Sequence, residues 1–189
     1  MLREVREWSG KPLHEEGSEG IMVPLRILTL IMTGHSQPSV LVLEPVEDAA
    51  ADASRVLPIW IGSSEAAQLG VAMEHAKLPR PLTHDLFLDA ITNLDARIDH
   101  VLIDKVKGQT FFAKLALRQG DRLVNLDARP TDAIALAVRQ QAPIYIEEPI
   151  LEQASFPYLF KQPRDEEAEL QEFRTFIDGL SPEDFDLDI

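Results

Sequence analysis

Two periods of hydrophobic residues alternate along this chain. Residues 25–32 are dense in aliphatic and β-branched side chains, residues 34–38 supply turn chemistry, and residues 40–43 are apolar again, which predicts a β-hairpin. Residues 48–54, rich in Ala and Asp, read as a loop. Residues 56–61 read as a third strand, and Pro58 places it at a sheet edge or near a strand start, because proline cannot donate to a ladder. The period then changes. Ala66, Leu69, Met73 and Ala76 recur at spacings of three and four and predict a helix opening at Ser63, Ser64 and Glu65. Pro79 and Pro81 end it. Thr83 is placed to cap a second amphipathic helix, with Asp85 in its first turn and Leu86, Phe87, Ala90, Ile91 and Leu94 along it. Residues 97–106, 109–118 and 122–127 form three strands joined by short Gly-containing turns, an antiparallel meander. Pro130 suits the first position of a third helix, whose Ala133, Ile134, Leu136, Ala137 and Val138 imply burial on more than one side. Residues 144–146 give a short last strand. Within residues 166–179, Leu170, Phe173, Phe176 and Ile177 repeat at helical spacing.

Runs of strands interrupted by helices indicate an α+β fold: a mixed, largely antiparallel sheet packed by about three helices, with an appended C-terminal helix. The expected organisation is a disordered extension over residues 1–20, a domain over residues 21–155, and an acidic helix and tail over residues 156–189.

Composition narrows the chemistry. The chain has 189 residues, about one domain's length, and its 45% hydrophobic and 26% charged content is that of an ordinary globular protein. The absence of cysteine removes disulfides, thiolate metal sites and cysteine nucleophiles. The net charge of −14 argues against a broad basic surface for nucleic acid, yet it is unevenly spread. Residues 1–20 contribute −2, residues 21–155 contribute −5 and residues 156–189 contribute −7. The body is therefore far less hostile to a polyanion than the total implies. The first 20 residues hold no apolar signal-type core, and the 12-residue apolar stretch 21–32 is broken by Pro24 and Arg26, short of the about 20 residues a spanning helix needs. A cytoplasmic protein with no membrane attachment is expected.

Walker-type, dinucleotide-binding, nucleophile-elbow and zinc-protease motifs are missing, and the histidines stand singly at positions 14, 35, 75, 84 and 100. Three segments can carry chemistry. Glu65 follows a strand into a helix start, where the helix dipole favours an acid and where it could also serve as a base or metal ligand. Arg80, His84 and Asp85 surround the next helix start, and histidine is a residue type suited to moving protons near neutral pH. Asp127, Arg129 and Asp132 lie within six residues; alternation along an extended strand puts Asp127 and Arg129 on one face, and Asp132 falls in a first helical turn. Arginine can hold a phosphate bidentately and carboxylates can bind a divalent cation. The plainer reading of all three segments is helix capping and ion pairing.

Taken in order, Leu57-Pro58-Ile59-Trp60-Ile61-Gly62 with Glu65, Arg80-Pro81-Leu82-Thr83-His84-Asp85-Leu86, and Asp127-Ala128-Arg129-Pro130-Thr131-Asp132 and the Ala-rich run after it resemble the bifunctional nuclease domain family. The resemblance covers residues 22–155, and residues 173–185 resemble sequence that often follows the domain. The family usually has Ser at Thr131, a change that keeps the hydroxyl. The resemblance implies a compact α+β domain, hydrolysis of RNA and DNA, and a homo-oligomer. Its matching positions are Glu65, Arg80, His84, Asp85, Asp127, Arg129 and Asp132.

Two accounts of these residues follow. In a phosphodiesterase, Asp127 and Asp132, with Glu65, hold a magnesium or manganese ion, while Arg129 and Arg80 bind substrate and stabilise phosphoryl charge. His84, steered by Asp85, moves a proton at the leaving oxygen. In a non-enzymatic oligomeric binding or regulatory module, the same residues fix strand-to-helix junctions, and the third helix and first hairpin offer apolar surface to another subunit.

Overall fold

The predicted strands pair through their backbone hydrogen bonds, and the result in a computed structural model is, among the described residues, a single eight-stranded sheet with four helices. The structure describes residues 21–33, 37–46, 53–76, 78–159 and 175. The strands are β1 (Met22–Ile31), β2 (Ser39–Pro45), β3 (Ala53–Ile61), β4 (Ala96–Lys107), β5 (Thr110–Gln119), β6 (Arg122–Ala128), β7 (Ile144–Glu147) and β8 (Phe156–Leu159). The helices are α1 (Ser63–Met73), α2 (Thr83–Asn93), α3 (Pro130–Gln140) and α4 (Glu148–Ala154). The sheet order is β6-β5-β4-β7-β1-β2-β3-β8, and every pairing is antiparallel except β4 with β7. This is the expected α+β architecture.

The meander β4–β5–β6 forms as the sequence indicates, its two turns carried by Gly108 and Gly120 at φ of +54° and +56°, where a side chain would strain the backbone. Pro58 sits within β3, paired with Val42 on β2. On the other side β8 pairs with β3 only from Ala53 to Val56, so the half of β3 that carries Pro58 is a local edge. Two elements escaped the sequence pattern. The helix α4 is only seven residues long, too short for a helical period, and β8 contains Pro157 and extends the sheet beyond residue 155. Of the proposed helix within residues 166–179, only Thr175, in helical conformation, is among the described residues, and the extension at residues 1–20 lies outside them.

One face of the sheet packs on the helices. Leu41 and Leu43 of β2, Leu57, Ile59 and Ile61 of β3, Ile98, Val101 and Ile103 of β4, and Ala113 and Leu115 of β5 join Ala66 and Leu69 of α1 and Ala133 to Ala137 of α3 in a single core. The alanines at 133, 135 and 137 let α3 approach the strands closely, and α3 packs in turn against α1 and α2. The opposite face carries a smaller cluster of Val40, Val42 and Val56, with Leu28, Ile31, Trp60 and Phe156 against it. The surfaces offered above for a partner subunit are thus largely consumed within the chain: α3 is buried, and β2 of the first hairpin is buried along its whole length. Large apolar side chains are exposed at Met22 on β1, at Leu86 and Phe87 on α2 and Leu94 just beyond it, and at Leu123 and Leu126 on β6. Among the described residues no helix is long and apolar enough to cross a membrane.

On β4, Asp99 accepts hydrogen bonds from Arg118 Nε at 2.5 Å and from the neighbouring His100 Nδ1 at 2.9 Å. These bonds hold the Asp99 carboxyl down at about 2, against an ordinary value of 3.8.

Two outcomes test this packing. Ile134→Ala, at a position with no exposure, should lower unfolding free energy by about 3 kcal/mol in urea titration. Asp99 has a folded pKa below its unfolded one, so its contribution is complete above 3.8 and is lost as pH falls through about 2. The stability gap between wild type and Asp99→Asn, about 1 kcal/mol or less at neutral pH for a partly solvated pair, should close over that acid range.

Candidate active site

Three strand-to-helix or loop-to-helix junctions place charged side chains at one end of the helical layer. At the first, β3 ends at Ile61 and Gly62 enters α1 in extended conformation, leaving Glu65 in the first turn. A Cβ at Gly62 would collide with the Glu65 carboxylate, so glycine there leaves that side chain its room. At the second, the Leu82 N–H donates to Asp85 Oδ2 at 2.8 Å, and α2 begins at Thr83. Leu82 is therefore the boundary residue and Asp85, not Thr83, satisfies the open N–H. At the third, β6 ends at Ala128, Arg129 is extended (φ −67°, ψ 142°), and Pro130 starts α3 with its fixed φ.

Arg129 joins two of these junctions directly. Its Nη1 donates to Glu65 Oε1 at 2.8 Å, its Nε to Asp132 Oδ2 at 2.7 Å and its Nη2 to Asp132 Oδ1 at 3.3 Å. Asp132 Oδ1 also meets His84 Nε2 at 3.1 Å, which brings in α2. Beside an ionised carboxylate, Nε2 donates in this contact, which leaves the other ring nitrogen, Nδ1, for a separate partner. That Nδ1 is buried and has no hydrogen-bond partner. Glu65, His84, Arg129 and Asp132 thus form one connected cluster, with the Arg129 side chain 64% exposed and His84 15% exposed.

The carboxylates stay ionised. The Ser64 hydroxyl, the Glu65 backbone N–H and Arg129 lower the pKa of Glu65 against a smaller opposing effect of burial. Burial raises that of Asp132, but hydrogen bonds from Arg129 and His84 outweigh it and the net shift is downward. Asp132 and then Glu65 hold Arg129 still more firmly protonated.

The remaining candidates lie elsewhere. Asp85 does not orient His84; its Oδ1 accepts from Arg139 Nε at 2.6 Å, and successive helical residues point in different directions. Asp127 faces away from α3. Leu126 and Ala128 pair with Leu115 and Ala113, on the core side of β5, whereas Asp127 pairs with Lys114 on the other side. The chain leaves the strand after Ala128, so Arg129 does not share the Asp127 face as simple alternation would have it. Arg80 is exposed and joins no hydrogen bond or ion pair among the described residues. No group of three or more His, Asp or Glu side chains is arranged among the described residues to hold a metal ion.

The sequence reading passed over two contributors. Arg139, with a side chain 8% exposed, links Asp85 to the Ala135 carbonyl at 2.9 Å and the Gln68 carbonyl at 3.5 Å, fastening α2 to α3 and α1. Its seven-residue offset from Asp132, two helical turns, was the available signal. The second is a cavity of about 240 Å³ beside the cluster, bordered by Glu65, Arg129, Ile59, Ile61, Gln109 in the β4–β5 turn, and Thr110 and Phe111 at the start of β5. It is lined from both β3 and β5, which are far apart in sheet order.

Comparison with known proteins bears on most of the chain. The bifunctional nuclease domain matches residues 46–158. An uncharacterized protein of Mycobacterium tuberculosis (strain H37Rv) is 40% identical over 158 residues, covering 80% of this chain and 90% of its own length. Bifunctional nuclease 2 and bifunctional nuclease 1 of Arabidopsis thaliana are 27% and 25% identical over 146 residues, 70% of this chain but only 43% and 44% of theirs. With the junctions that carry Glu65, His84 and Arg129–Asp132 all inside the matched region, the chain belongs to the bifunctional nuclease domain family.

Proposed function

We propose that this chain is a nuclease that hydrolyses phosphodiester bonds of RNA and DNA with a divalent cation, magnesium or manganese. The observation that carries the reading is the solvent-facing Arg129 guanidinium, held between two ionised carboxylates with His84 on one of them. A guanidinium in that position can exchange a carboxylate partner for a phosphate oxygen without leaving its place, and it would stabilise charge that develops on the phosphoryl group.

Glu65 and Asp132 have lowered pKa values, which makes them weak bases and good oxygen ligands. Ions such as Mg²⁺ are commonly held by one or two carboxylates together with water and substrate phosphate, so this pair, without Asp127, is a sufficient protein contribution. When bound, the cation would neutralise phosphate charge and lower the pKa of a coordinated water. His84 meets Asp132 through Nε2, where it orients that carboxylate and is placed to transfer a proton at the departing oxygen. Arg139 and Asp85 act one layer behind, keeping α2 and hence His84 in place against α3.

A second reading has its own support: every close partner of Arg129 is already a carboxylate, as in a purely structural clasp between α1 and α3. Cleavage assays on labelled RNA and DNA with magnesium, manganese or EDTA separate the two. The nuclease reading expects metal-dependent cleavage that falls about a hundredfold or more in Arg129→Ala and Asp132→Asn. Asp127→Asn, on the far sheet face, should stay within a few-fold of wild type. Cleavage that is equal in wild type and all three variants, or unaffected by EDTA, contradicts it.

A further inference from the structure

We propose that the cavity beside Arg129 is a nucleobase subsite, so that the substrate of this site is an unpaired strand and not a duplex. The proposal rests on the nuclease reading above and adds the part of the nucleotide that the ion cluster leaves unaddressed.

The cavity has the build of a site for one flat heterocycle. Ile59 and Ile61, both nearly buried, and the half-buried Phe111 give it an apolar wall, and Phe111 supplies an aromatic ring. Gln109, in the turn between β4 and β5, and Thr110, at the start of β5, add an amide and a hydroxyl that can both donate and accept hydrogen bonds. Its volume of about 240 Å³ falls below the range of about 300–1,000 Å³ common for drug-sized ligands, which limits the occupant to a small group. Glu65 and Arg129 form another part of the same border. A phosphate on Arg129 therefore places the adjoining sugar and base at the cavity mouth. Apolar and aromatic walls with a few polar atoms are what a single base requires, because its faces stack and its edges hydrogen-bond. A base inside a duplex has both its faces and its pairing edge occupied, so only an unpaired or extruded base can enter. The mild acidity of residues 21–155 fits this mode, since contact with one base and one phosphate needs no extended basic groove.

Titrations of the full chain with adenosine 5′-monophosphate, and with ribose 5-phosphate as the same phosphate without a base, test the assignment. The mononucleotide should bind more tightly, by about tenfold. Gln109→Ala at the exposed turn, and Phe111→Leu, which keeps apolar packing but removes the ring, should each weaken the mononucleotide several-fold and leave ribose 5-phosphate unchanged. Arg129→Ala should weaken both ligands. Equal affinities for the two ligands, or a mononucleotide affinity untouched by both cavity variants, would overturn the base subsite while leaving the phosphate role of Arg129 standing. If neither ligand binds wild type, the nuclease reading fails and this proposal with it. In cleavage, single strands should be cut at least tenfold faster than a blunt duplex of the same sequence; equal rates would also overturn the proposal.

Discussion

The bonds from Arg129 to Glu65 and Asp132, with His84 closing on the same Asp132, tie the starts of α1, α2 and α3 into a single unit. Every other feature of the candidate site depends on that tie. The three helices start from different parts of the chain, and α3, with its alanine-rich surface, packs on β4 and β5 and against both other helices. Arg129 sits at the hinge between β6 and α3, where an extended residue before proline cannot drift into helical geometry. Its direction is therefore set by backbone and proline rather than by side-chain contacts alone.

Charge and burial are balanced differently within this cluster and behind it. Arg129 is mostly exposed, so each of its ion pairs is worth about 1 kcal/mol or less and remains open to exchange with a ligand. Arg139 is buried, pairs with Asp85 and holds backbone carbonyls on two helices, so it is committed to structure. The site thus uses one exchangeable guanidinium in front and one fixed guanidinium behind it. The same distinction explains how a chain of net charge −14 can carry the anion-binding residue proposed above. The requirement is local positive charge at a defined atom, not a basic surface.

Much of this was legible in the sequence because it depends on local rules. The glycine turns at 108 and 120 specified the meander, the Pro130 start and apolar run specified a buried α3, and the spacing of Ala66, Leu69 and Met73 specified α1. The cluster members Glu65, His84, Arg129 and Asp132 were all within the three segments singled out. Their partners were not legible. Sequence adjacency suggested Asp85 for His84, but the turn of the helix sends Asp85 to Arg139. Strand alternation described Asp127 correctly only up to Ala128; which face α3 would cover is a tertiary fact. The short α4, the proline-containing β8 and the cavity between β3 and the β4–β5 turn depend on contacts between segments distant in sequence, for which no single-segment pattern exists.

The central claim is that one guanidinium couples Glu65 to Asp132 across α1 and α3. A double-mutant cycle with Glu65→Gln and Asp132→Asn, read as unfolding free energy in urea near neutral pH, measures that coupling directly. The account predicts that the two losses are non-additive by about 0.5 kcal/mol or more, because both carboxylates act through Arg129. Losses that add within about 0.3 kcal/mol would mean the carboxylates are independent and would contradict it.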